Sequence, residues 1–284
     1  MTTTSGDRSM TPIERLFLSI PTLPSIPRVV QELITTLGDD DADLGALVSK
    51  VKQDQTLSAR VLRLANSSHY GSRHKVGAID DAVALIGLNA LRTLVIASGV
   101  SGAFASIPGI DLKLFWRHAG QSALIARSIG RKARLNAEFA YTAALMHRIG
   151  QLLINAAYPS VAKEIAAENH DLDVTELASV ERTHLQLDHS EVGAELARRW
   201  YFPAAIQNAL RWYGDPMHEQ AGPYAGVVHL SAQITLGLEH GEDDASIAAA
   251  LPDPLLQKLV LDRPDMESEI ETARDAQQSA AETA

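Results

Sequence analysis

Apolar residues recur at helical spacing along most of the chain. Val29, Val30, Leu33, Ile34 and Leu37 follow Pro27 at i, i+3, i+4 intervals and stop at Gly38, and Leu57, Val61, Leu62 and Leu64 repeat the pattern over 55–67. Leu145, Ile149, Leu152 and Leu153 predict one helix across 141–158, with His147 and Arg148 in its middle. Val192, Leu196 and Trp200 keep four-residue spacing, Ile206 and Leu210 follow Pro203, and 227–238 reads as helical throughout. Start and stop signals agree: Thr11-Pro12 opens a first helix, the prolines at 21, 24 and 27 hold off the next until Arg28, and Asp43 can cap a third. Residues 79–100 read as two helices joined at Gly87-Leu88-Asn89, with Asn89 capping the second, whose apolar surface suits a core better than a DNA groove. At Asp188 a capping arrangement is expected, Asp188 accepting from the helix N-terminus and Glu191 reaching back. No segment sustains the two-residue alternation of a strand, so the fold class is all-α.

Composition narrows the chemistry. The 284 residues carry a net charge of −10 and no cysteine. That excludes disulfides, cysteine-ligated zinc, iron–sulfur clusters and thiol catalysis, and fits a reducing compartment, here taken as cytoplasmic. The negative balance argues against wholesale capture of nucleic acid, which rests on neutralising phosphates. Two basic clusters, Arg127/Arg131/Lys132/Arg134 and Arg73/His74/Lys75, read as solvated faces. No apolar run has membrane length, residues 90–100 being interrupted by Arg92, and the polar first ten residues predict no secretory leader. Phosphate-loop, serine-elbow and HExxH motifs are missing. Of the ten histidines, His69, His74, His170, His218 and His240 fall in predicted loops or helix ends where exposure explains them, and His184 and His229 receive no role.

His147 and Arg148 do need a reason, because burying an unpartnered polar group costs about 2–7 kcal/mol. Three more segments bear on them: FWRHAGQSALIARSIG with His118, LDHSEVGAELARRWYFPAAIQNALRWYGDP with His189, and VVHLSAQITLGLEHG. In this order they resemble the HD phosphohydrolase superfamily, which binds divalent metal through a His, a His-Asp pair, further His residues and a final Asp. The resemblance places His118 at the first ligand and His147 at the His of the pair. Arg148 then stands where the pattern has Asp, Ala232 where it closes with Asp, and Tyr213-Gly214 where it has His-His. A guanidinium has no lone pair to offer a cation and stays charged. Together with LPSIPRVVQELITTLGDDDADLGALVSKVKQDQTLSARVLRLANSSHYG, this broken ligand set resembles HDOD domains, the HD-related output domains of bacterial signalling proteins, over about residues 20–276.

The resemblance implies a disordered tail over 1–11, an N-terminal helical subdomain over 12–105, a degenerate HD-like helical subdomain over 106–276 and a frayed tail over 277–284, with the joint near 101–109. It implies a non-catalytic signalling domain that contacts signalling proteins in trans, without membrane association, cofactor, metal or catalytic residue. The candidate site is His118, His147, Arg148 and His189, with a structural or ligand-binding role. Two alternatives stand beside it: a binder of an anionic ligand, nucleotide or nucleic acid through the basic clusters, and a residual metal-dependent phosphohydrolase using His118, His147 and His189. Arg148 is expected to form an internal ion pair with Glu181, Asp188 or Glu191, the alternative being a site held open for an anionic ligand such as phosphate or a nucleotide, since a buried charge left without its partner costs about 3–5 kcal/mol.

Overall fold

The computed structural model describes residues 10–20, 22–36, 44–66, 76–168 and 174–282, and builds them entirely from helices and connectors. Leu37, Gly38, Asp43, the Arg73/His74/Lys75 cluster, His69 and His170 lie outside the described residues. Local chemistry sets the helix starts. Thr11 and Glu14 form a capping box for α1 (Pro12–Ser19), Asp111 accepts from the backbone N–H groups of Lys113 and Leu114 at the start of α7 (Leu112–Lys132), and Asn136 caps α8 (Ala137–Met146) in the same way. Between them lie α2 (Arg28–Thr35), α3 (Leu44–Gln53), α4 (Gln55–Ala65), α5 (Ile79–Ile86) and α6 (Leu88–Gly102).

Every residue from Leu91 to Val100 of α6 is buried, so this helix is a core element, as its apolar surface predicts. The predicted cap is corrected. Gly87, at φ 81°, ends α5 and starts α6, whereas Asn89 already lies inside the helix and accepts from the Arg92 guanidinium at 3.2 Å. The left-handed φ explains the choice, since glycine takes it without a Cβ penalty.

The second half comprises α9 (Ile149–Ala157), α10 (Pro159–Glu168), α11 (Val174–Leu185), α12 (His189–Arg199), α13 (Ala204–Trp212) and α14 (Pro223–Glu239), followed by α15 (Asp244–Ala250), α16 (Asp253–Lys258) and α17 (Arg263–Glu282). Helix α17 runs beyond residue 276 and is clamped to α7 by Lys132, which reaches Asp265 at 3.0 Å and Glu269 at 3.5 Å. One member of the predicted basic face is thus an interhelical tie. The chain between α6 and α7 leaves the helical path, yet Phe104 is buried there between Trp116 and Trp200, with ring centroids 6.2 and 6.3 Å away. A single buried cluster joins Leu33 and Leu94 of the first half to Leu152 and Leu210 of the second. Helix α1 packs on α9, and Arg199 of α12 covers the Phe17 ring at 4.0 Å.

The helix predicted over 141–158 is two helices. Backbone geometry tightens at His147-Arg148, where His147 N–H bonds the Ala144 carbonyl at 3.4 Å while His147 Nδ1 sits on the same oxygen at 2.6 Å. The imidazole takes an acceptor that a continuous helix gives to its own backbone, and the ladder breaks without proline or glycine. The new axis brings Gly150 against α12. A Cβ there would meet the His189 carbonyl oxygen at 1.9 Å and Gly193 N at 2.9 Å. Gly150→Ala is therefore expected to cost about 3 kcal/mol or more in urea unfolding, whereas Gly120→Ala in α7, with nothing within 4 Å of the added methyl, is expected to gain about 0.5–1 kcal/mol.

Candidate functional site

Six helices bring the predicted residues to one place. α7 carries His118, the α8–α9 break carries His147 and Arg148, α12 begins at His189, α13 ends at Tyr213, and α14 carries Ala232 and Glu239. The His118 and His147 rings lie 5.7 Å apart, and Tyr213 stands edge-on to His147 at 5.3 Å and at 5.9 Å from His189. The sequence resemblance and the geometry agree on which residues meet. They disagree on what each one does there.

His189 is fully buried and both of its ring nitrogens are engaged. Glu181 of α11 accepts from its backbone N–H at 2.8 Å and from Nδ1 at 2.5 Å, while the Tyr213 hydroxyl lies 2.6 Å from Nε2. Burial pushes the Tyr213 phenol far above its ordinary pKa, so it stays protonated. Nδ1 lies against the Glu181 carboxylate, and Nε2 shares a hydrogen bond with the Tyr213 hydroxyl.

His147 is buried and neutral. Desolvation pulls its pKa well down and the charges of His118, Arg148 and His189 add to the effect, against the Ala144 bond. The Ala144 carbonyl can only accept, so Nδ1 holds the proton and Nε2 keeps a lone pair that is buried without a partner. His118 Nδ1 meets Glu239 at 2.8 Å. Burial pushes the Glu239 carboxyl up, but the hydrogen bond and charge of His118, then Arg148 and Arg117, outweigh it and leave the pKa lowered.

The expected ion pair of Arg148 is corrected. Glu181 is taken by His189, and Asp188 by Arg182 at 2.6 Å, a contact of charges without hydrogen-bond alignment, since Asp188 Oδ2 has no hydrogen-bond partner. Glu191 turns to Arg211 at 2.5 Å and does not reach back to its helix end, although Asp188 does cap α12 through Glu191 N–H. Arg148 is half-buried and donates from Nε to Gln151 at 3.1 Å, with no carboxylate at ion-pair distance among the described residues. Burial lowers its pKa, while Tyr213, Glu239 and Glu181 pull upward from further off.

A resident divalent metal does not fit these side chains. It needs several lone pairs converging with carboxylate charge, yet both nitrogens of His189 and one of each other histidine are already bonded, Ala232 offers nothing, and Arg148 adds positive charge. Among the described residues no group of three or more His, Asp or Glu side chains is arranged to hold an ion. Of the other histidines, His229 Nδ1 bonds the Tyr213 carbonyl at 2.8 Å, and His218, predicted exposed, is half-buried and stacked on Trp212 at 3.7 Å. Sequence reasoning missed Glu181 as the partner of His189 and Glu239 as that of His118. Glu239 had a usable signal: it falls seven residues after Ala232, on the same face of a helix.

A family model for the HDOD domain matches residues 23–216. The chain belongs to the HDOD family. A protein of Treponema pallidum is 28% identical over 234 residues, which are 78% of this chain and 44% of that protein, so the chain spans under half the length of this curated relative. Among solved structures, a candidate phosphohydrolase from Shewanella amazonensis superposes with a TM-score of 0.78 at 30% identity, covering 94% of this chain and 97% of that one. An HDOD domain protein of unknown function from Geobacter sulfurreducens gives 0.77 at 22% identity, with 94% and 96% covered. A candidate signal transduction protein from Marinobacter aquaeolei gives 0.75 at 22%, with 96% and 64% covered. The last two show the HDOD fold only.

Two outcomes follow from the bonding around the histidines. Tyr213→Phe deletes a single hydroxyl and leaves His189 Nε2 buried without a partner, and is expected to lower unfolding stability by about 1–3 kcal/mol in urea titrations. The folded HDOD chain holds His147 neutral, whereas the unfolded chain protonates it below about pH 6.5. Unfolding then takes up a proton, so this residue's contribution is complete above that pH and falls by up to about 1.4 kcal/mol per unit below it. His147→Gln is expected to show a shallower loss of stability between neutral pH and about pH 5.

Proposed function

We propose that this HDOD chain is a non-catalytic regulator in bacterial signal transduction, acting in trans through contacts with partner proteins. A regulatory role fits both the HDOD domain and the candidate signal transduction protein among its structural neighbours. One observation carries the non-catalytic part. The nitrogen of His189 that a metal would require is held by the Tyr213 hydroxyl at 2.6 Å. Arg148 and Ala232 at the carboxylate positions point the same way, because neither can neutralise a cation or activate a water.

Division of labour between an N-terminal part, roughly 12–105, and the HD-like part is included in this proposal, with the partner meeting the first part or the groove between the two. So is a cytoplasmic setting. Among the described residues no helix is long and apolar enough to cross a membrane. A second reading rests on the Shewanella relative named as a candidate phosphohydrolase. It requires that His118 and His147 recruit a metal despite the neighbouring guanidinium.

Loading the intact chain with manganese, iron, zinc or nickel, followed by desalting and elemental analysis, separates the two. The expected result is far less than one metal per chain and no metal-stimulated phosphoester hydrolysis, together with capture of the same signalling protein from source cells by wild type and by His147→Ala. One equivalent of metal that His147→Ala abolishes, with hydrolysis that follows it, would establish the phosphohydrolase instead.

A further inference from the structure

The break between α8 and α9 gathers three features that no protein group answers. Helix α9 starts without a side-chain cap, and the residue at its N-cap position is Arg148. The guanidinium bonds Gln151 through Nε only, and its two terminal nitrogens have no hydrogen-bond partner among the described residues. Beside it, His147 is 1% exposed and its Nε2 is buried without a partner. With its proton held on Nδ1 by the Ala144 carbonyl at 2.6 Å, Nε2 can only accept.

These features ask for different things from one occupant. A helix N-terminus favours negative charge, and a guanidinium favours a planar pair of anionic oxygens. The neutral imidazole asks for a donor. A carboxylate or sulfate supplies charge without a proton, and water supplies a proton without charge. We propose that the α8–α9 break binds hydrogen phosphate, with anionic oxygens on Arg148 and the α9 N-terminus and a P–OH group donating to His147 Nε2.

One edge of the site is exposed to solvent. Arg148 is half-buried, and the Glu239 side chain, 26% exposed and bonded to His118 at 2.8 Å, borders the site. Glu239 and Glu181 are the negative charges that act on Arg148 and that an entering anion must tolerate, and Glu181 is already engaged by His189. The site goes beyond the partner-binding role. Its test reads ligand binding alone, so either can fail without the other.

The experiment titrates the intact chain with inorganic phosphate, sulfate and chloride at constant ionic strength and follows melting temperature and heat of binding. Expected is a saturable rise in Tm of about 2–4 °C with phosphate. Sulfate, which cannot donate to Nε2, should bind about tenfold more weakly. Arg148→Gln should lose the phosphate response. Equal binding of sulfate and phosphate, no response of the wild type, or an undiminished response in a folded Arg148→Gln would each overturn the proposal. If Arg148→Gln does not fold, the comparison of phosphate with sulfate on the wild type decides alone.

Discussion

A fully buried imidazole with both nitrogens bonded is the constraint around which this HDOD chain closes. His189 begins α12, takes Glu181 from α11 and Tyr213 from the end of α13, and so fixes three helices at one point. Each bond is worth little net, about 1 kcal/mol for a neutral pair and about 1.5–3 when a charge takes part. The cost of breaking either is larger than its presence suggests, because the partner left behind cannot find water. That asymmetry turns a polar cluster into a fastening.

The fastening works only because the backbones come close. Gly150 lies against the His189 carbonyl, and the α8–α9 break aims it there. The break in turn follows from His147 claiming the Ala144 oxygen. One side chain thus redirects a helix, permits a glycine contact and leaves its own far nitrogen without a partner. His118, held by Glu239, completes a set in which every histidine is tied to the protein by at least one ring nitrogen. Arg148 stands among them as a charge without an ion-pairing carboxylate. Its nearest bond is to a neutral amide, so it is a positive centre that the fold tolerates at half-burial.

Helical periodicity made the all-α class legible, and the order of His118, His147 and His189 made the family legible, because both are one-dimensional patterns. The break at His147-Arg148 was not legible. The one poor helix former in ALMHRIGQ, Gly150, lies beyond the break, and the competing hydrogen bond is a matter of rotamer. The partner of Arg148 was misjudged because three carboxylates near His189 in sequence were assumed to be free. In space Glu181, Asp188 and Glu191 each face a different cation or imidazole. Tyr213 was visible as a departure from the HD pattern, yet only the structure shows that its hydroxyl takes the nitrogen a metal would use.

The central claim is that Tyr213 and Glu181 hold His189 in place of a metal. Nitrogen-15 NMR of labelled histidine side chains, recorded while zinc is added, addresses it directly. The account predicts that both ring nitrogens of His189 are hydrogen-bonded, and that neither His189 nor His147 changes at one equivalent of zinc. Simultaneous movement of the Nε2 resonances of His189 and His147, complete at one equivalent, would contradict it.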